Sequence, residues 1–171
     1  MRTILSLTTA ALLLIGAGCG NTAKSTAGPG DQGASKYGGP NPNDSLFFSI
    51  ERTPCFGKCP AYRINVYRSG YATYEGISNV ERLGQNRAWV GKDTMALLLK
   101  EAEAIGYFGL QESYDRQVTD IPSTRLRMVS GARDKSILAR AGVPPELKAF
   151  ALRADELLLP MAWKRAPELG Q

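Results

Sequence analysis

Cys55 and Cys59 stand four residues apart in the run Arg52-Thr53-Pro54-Cys55-Phe56-Gly57-Lys58-Cys59-Pro60-Ala61-Tyr62, with a proline beside each of them. On a helix that spacing would stack both thiols on one face. The prolines forbid the helix: Pro60 pushes Cys59 out of the α region, and Pro54 does the same to Thr53. Gly57 accepts a positive φ, so the residues between the cysteines can turn and bring the sulfurs together. The segment is predicted to be a tight connection between two extended stretches, closed by a disulfide. For a loop of five residues the chain-entropy argument gives about 2 kcal/mol of stabilisation. Its more useful effect is to pin the connection.

The flanking sequence supplies the extended stretches. Leu46–Arg52 has strand propensity, with Leu46, Phe48 and Ile50 expected on one face. Tyr62 to Tyr67 alternates: Tyr62, Ile64 and Val66 point one way, Arg63, Asn65 and Tyr67 the other. Ser69-Gly70 is a tight-turn signal, and Tyr71–Gly76 returns as the partner strand. Shorter β-prone pieces follow at 80–83 and 87–90. Residues 125–129 and 136–140 read as a hairpin about Gly131-Ala132-Arg133-Asp134.

Two helices interrupt this pattern. Over 93–105, Met95, Leu98, Leu99, Ala102 and Ile105 make one apolar stripe, with Asp93 suited to the start and Gly106 to the end. Pro144-Pro145 opens a second helix over about 146–159, with Leu147, Phe150, Ala151, Ala154, Leu157 and Leu158 on one face and Pro160 as the stop. Hairpins with only two helices predict an α+β fold: an antiparallel β-sheet with both amphipathic helices packed on one face.

The N-terminus reads as an address. Arg2, the apolar run Ile4–Ile15, the small residues Gly16-Ala17-Gly18 and then Cys19 form an export signal of the lipoprotein type, in which Cys19 becomes the lipidated N-terminus. The run is too short to cross a bilayer, which takes about 20 apolar residues. Gly16 stands where such signals usually carry Leu, and a general signal peptidase would also accept Gly16 and Gly18. The organisation expected is a signal at 1–18, a Gly/Pro/Ser-rich flexible tether at 19–44, one domain at 45–160 and a tail at 161–171. Gly20 after the cysteine lacks the Asp that retains many such proteins on the inner membrane, so the outer membrane is the expected site, facing the periplasm. Three cysteines leave an odd thiol; lipid on Cys19 makes the remainder a pair.

Composition narrows the chemistry. The chain has no histidine, which removes Ser-His-Asp and Cys-His catalysis, His-ligated metals and an imidazole switch. Its net charge of +5 is dispersed and gives little reason to expect nucleic acid as a partner. The literal G-x-G-x-x-G at Gly28–Gly33 follows no strand, contains a proline and is discarded. Asp115, Asp120 and Asp134 match no calcium loop. Asp120-Ile121-Pro122-Ser123-Thr124 reads as a polar turn before a strand, and about half of Tyr62, Tyr67, Tyr71 and Tyr74 belong in the core.

Four readings of the cysteine pair stay open. It is a structural bridge, a rigid loop presenting Phe56 and Lys58 to a partner, a thiol-redox site, or a Cu(I) site drawing on Met95, Met128 or Met161. The function expected is a non-enzymatic envelope binding module with no cofactor and no resident metal, held to the membrane through Cys19, with an envelope protein or glycan as partner. Redox or Cu(I) handling and a purely structural envelope role are the alternatives.

The run R-T-P-C-F-G-K-C-P-A-Y, the I-N-V-Y-R-S-G strand ahead of Y-E-G, the L-L-L-K-E-A-E-A-I-G-Y-F helix end and S-Y-D…T-D-I-P-S-T together resemble an uncharacterised family of bacterial exported proteins, domain of unknown function 6438. The resemblance covers about 46–159. The matching positions are Cys55, Gly57, Cys59, Pro60, Tyr62, Gly70, Asp120 and Pro122. It implies small lipoproteins or secreted proteins with no assigned activity, and it carries over no catalytic residue.

Overall fold

A computed structural model of the chain describes residues 41, 43–116 and 120–166. The signal at 1–18, Cys19, nearly all of the tether and residues 167–171 lie outside the described residues. Eight strands form one sheet in the order β5-β7-β6-β1-β2-β3-β4-β8. β1 (Leu46–Arg52), β2 (Ala61–Tyr67), β3 (Tyr71–Ser78) and β4 (Gly84–Trp89) run as a meander away from the centre. β6 (Thr124–Ser130) and β7 (Arg133–Ala139) make a hairpin on the other side of β1. The short β5 (Ser113–Tyr114) joins β7 in parallel, and β8 (Lys164–Arg165) edges β4; all other pairings are antiparallel.

This order explains where the helices go. α1 (Lys92–Ala104) carries the chain from β4 to β5, across nearly the whole sheet, and α2 (Pro145–Leu158) carries it back from β7 to β8. Both crossings use the same face, where Phe48, Ile50, Ile64, Val66, Leu126 and Met128 meet Leu98 and Ala102 of α1 and Leu147, Phe150 and Leu158 of α2. Phe150 meets Phe48 edge-on at 6.0 Å and Tyr107 at 5.8 Å, joining α2, the central strand and the turn after α1. The α+β architecture expected from the residues is present.

Local details depart from the sequence reading where the backbone is irregular. A bulge between Leu46 and Phe48 places Phe47 and Phe48 both in the core and leaves Leu46 half-buried, so the strict alternation predicted from Leu46 fails at the first step. Residues 80–83 are not a strand but bends. Asn79 (φ 54) and Gly84 (φ 76) turn this stretch back over β3, so close to Gly76 that a β-carbon there would strike the Arg82 carbonyl. The β6–β7 hairpin is tighter than predicted, with Ser130 paired to Arg133 across Gly131-Ala132 and Gly131 at φ 61. α1 starts after Gly91, with Asp93 inside its first turn, and Gly106 ends it in the left-handed region (φ 65). The segment after Pro160, read as a tail, returns to the sheet. Trp163 is buried against Tyr74 at 5.4 Å and donates its indole N–H to the Leu158 carbonyl at 3.0 Å, and the next two residues form β8. A single aromatic with no periodic neighbours carries no pattern from which this could be read.

Candidate functional site

The helices leave one end of their face uncovered, where β1 and β3 end and β2 and β6 begin. Inward alternation along β1 places Phe48, Ile50 and then Arg52 on the helix side; Arg52 is in register with Tyr62 on β2 and Thr124 on β6. Asp155 of α2 stands over them. The Arg52 guanidinium donates through Nε to Asp155 Oδ2 at 2.8 Å and to Tyr62 Oη at 3.0 Å, through one terminal nitrogen to Thr124 Oγ1 at 2.9 Å, and through the other to Asp155 again. The Tyr62 hydroxyl donates to the second oxygen of Asp155. Arg52 and Asp155 keep 22% and 14% of their side-chain surface in solvent.

Each group sets the electrostatics of the next. Burial, then the hydrogen bond to Asp155, raises the Tyr62 hydroxyl far above the ordinary tyrosine value, so it stays a neutral donor. Burial works against the Arg52 charge, but Asp155 and Tyr62 outweigh it and hold the guanidinium above its usual pKa. Both oxygens of Asp155 are engaged, and the Ser123 and Thr124 hydroxyls have no histidine to activate them. The cluster therefore has the chemistry of a fixed hydrogen-bonding surface, with no free base paired to a nucleophile.

Around this floor opens a cleft of about 710 Å³. Its walls come from four separate segments: Cys59 and Pro60 of the β1–β2 loop, Asn79–Arg82 of the β3–β4 loop, Pro122-Ser123 before β6, and Leu152, Leu159 and Pro160 on and after α2. The segments brace one another. Asn79 donates to the Cys59 carbonyl at 3.1 Å. Thr53 N–H donates to the Ser123 carbonyl at 3.0 Å, and Ser123 N–H donates to Thr53 Oγ1 at 2.8 Å, extending the β1–β6 pairing into the turn.

The structure brings part of the sequence-predicted site together here. Cys55 and Cys59 form a disulfide with Cα atoms 5.6 Å apart, closing the loop between β1 and β2. Cys59, Pro60, Tyr62 and Pro122 line the cleft. Phe56 stands at the loop tip, 95% exposed, beside exposed Gly57 and Lys58. Asp120 is exposed outside the cleft in a left-handed conformation (φ 65). Three of the four tyrosines in question are buried, and Tyr67 is half-exposed. Met128 is buried in the sheet, and Met95 and Met161 pack at the edge of the core. Asp134 is paired with Arg127 at 2.7 Å and Asp115 with Arg140 at 3.7 Å.

Arg52 and Asp155, the centre of the site, are the residues that sequence reasoning missed. A signal existed: Arg52 continues the inward alternation of β1, and Asp155 lies one turn past Ala151 and beside Ala154 on the apolar stripe of α2. Two opposite charges at inward positions of different elements point to a buried pair.

An open, mostly antiparallel sheet with two helices on one face and an amphiphilic cleft at its uncovered end defines the class, a small α+β domain. A family model described as a domain of unknown function (DUF6438) matches residues 46–158, and the chain belongs to that family. The match stops at the end of α2, short of Trp163 and β8. A search of curated proteins finds no match to the chain.

Proposed function

We propose that this chain is an exported lipoprotein, anchored through Cys19 and facing the periplasm, whose single domain binds a partner in the cleft at the open end of the sheet. The reading is supported above all by one observation. Cys59, Pro60, Tyr62 and Pro122, singled out from the sequence, converge with Arg52 and Asp155 on a cleft of about 710 Å³, within the usual range for ligand sites. The domain acts by binding, because both oxygens of Asp155 are already engaged by Arg52 and Tyr62 on the cleft floor. The disulfide acts as a rigid wall, in keeping with an exported protein whose third cysteine carries lipid.

Two measurements in intact cells test this. Cys19→Ser is expected to release the protein from membranes and abolish labelling by a palmitate analogue; a native protein that takes no label refutes the anchor. A photo-crosslinking residue at position 152, on the cleft wall, is expected to give a discrete adduct that the same residue at position 89 does not. Identical patterns from the two positions refute the cleft as the binding site.

A further inference from the structure

Five large hydrophobic side chains are exposed among the described residues, and three of them belong to or adjoin the segments that wall the cleft. Leu152 lines the cleft itself, Phe56 tips the disulfide loop, and Leu83 directly follows the Asn79–Arg82 wall; Ile77 of β3 and Trp89 of β4 lie outside it. Exposed apolar surface gathered at one place marks an interaction site. It extends past the cleft onto two loops, which is more than a small ligand needs.

The chemistry of the lining narrows the occupant. Its charges cancel in pairs, Arg52 with Asp155 and Arg82 with Glu81 at 3.6 Å, so nothing there favours a phosphate, a polyanion or a cation. Tyr62 and Tyr74 stack on each other at 5.9 Å and are almost wholly buried, so no ring face is offered to a sugar or a nucleobase. A bare hydrocarbon chain fits poorly as well. Two of the five N–H groups of Arg52 have no partner among the described residues, and an acyl chain would bury them unsatisfied. A peptide meets both demands, with a backbone carbonyl for Arg52 and apolar side chains against Leu152, Leu159, Val80 and the wall prolines.

From this, with the cleft taken as the binding site, we infer that its occupant is an extended, uncharged, apolar segment of another envelope polypeptide, gripped between the cleft floor and Phe56. The test uses the full mature chain carrying Cys19→Ser, immobilised with its disulfide intact and panned against a phage-displayed library of random dodecapeptides. The enriched peptides are expected to be apolar and low in charge. Their binding should weaken about tenfold or more on Leu152→Lys and on Phe56→Ser, and hold on Trp89→Ser. All three side chains are exposed, so equal melting temperatures confirm intact folds. No enrichment, a charged consensus, or binding indifferent to Leu152→Lys and Phe56→Ser overturns the inference. A long-chain fatty acid and a peptidoglycan disaccharide-peptide serve as further probes. If either of these binds in a Leu152-sensitive way and peptides do not, the peptide inference fails and the cleft remains the site. If none of the three probes is sensitive to Leu152→Lys, both readings fail.

Discussion

Adjacent residues of β1 and β2 build two ionic clusters on opposite faces of the same sheet. Glu51 and Arg63 point away from the helices, and Arg63 bridges Glu51 at 3.0 Å and Glu75 at 3.3 Å. One residue along each strand, Arg52 and Tyr62 point inward and meet Asp155. The residue types are nearly the same and the surroundings are not. The Arg63 side chain keeps 43% of its surface in water, and solvent screens what it gains from its carboxylates. Arg52 is mostly withdrawn from water, so its charge relies on Asp155, Tyr62 and Thr124. The outer cluster decorates a solvated face, whereas the inner one ties α2 to the strand ends and forms the floor of the cleft.

The largest expected effect follows from breaking the inner cluster on one side only. Asp155→Ala strands the Arg52 charge and the Tyr62 hydroxyl and should lower stability by about 3 kcal/mol in urea unfolding. Adding Arg52→Met should recover part of that loss, because the charge is removed with its partner. A single variant that unfolds like the native protein would show that water already solvates this pair. Alkaline pH probes the same cluster. Burial, then Asp155, raises Tyr62 above its unfolded value, and burial, then Asp134, raises Tyr107. The folded state thus holds these protons more tightly than the unfolded chain does. Their contribution is intact below about pH 10 and lost as pH climbs beyond it. The urea midpoint should fall above that pH, and less steeply in Tyr62→Phe.

The disulfide should rank next. Replacing both Cys55 and Cys59 with Ala should cost about 2 kcal/mol and keep the fold, because the bridge closes a short loop outside the core. Thiol titration of the exported native protein should find no free thiol. A titratable pair in the native protein would revive the redox reading, and tight Cu(I) binding by the reduced form would revive the metal reading.

What the residues revealed in advance follows the same division between regular and irregular structure. Alternation marked β2, the Ser69-Gly70 turn marked its return as β3, and spacing marked both helices, because alternation and spacing repeat over several residues and the turn joins neighbours in sequence. The bulge at Phe47, the folded-back 80–83 segment and the buried Trp163 carry no repeat, and each depends on contacts distant in sequence. The site divides likewise. Pro60 and the cysteines were conspicuous because prolines and cysteines constrain the chain wherever they stand. Arg52 and Asp155 are 103 positions apart, and only the folded topology makes them neighbours.

The smallest expected effect is the sharpest check on the comparison. Arg63→Ala removes both outer ion pairs yet strands no buried charge, since Glu51 and Glu75 can be solvated where they stand. Screened surface pairs contribute roughly 0–1 kcal/mol, so the loss should stay under about 1 kcal/mol. It should shrink further as salt shortens the Debye length. Asp155→Ala, by contrast, should change little with salt, because its cost is mainly lost hydrogen bonds and desolvation. Urea unfolding of the two variants at low and high ionic strength separates the cases. If Arg63→Ala costs as much as Asp155→Ala, or proves equally indifferent to salt, the two faces of the sheet do not differ as their burial implies. The Glu51–Arg63–Glu75 cluster would then be a second organising centre of the fold.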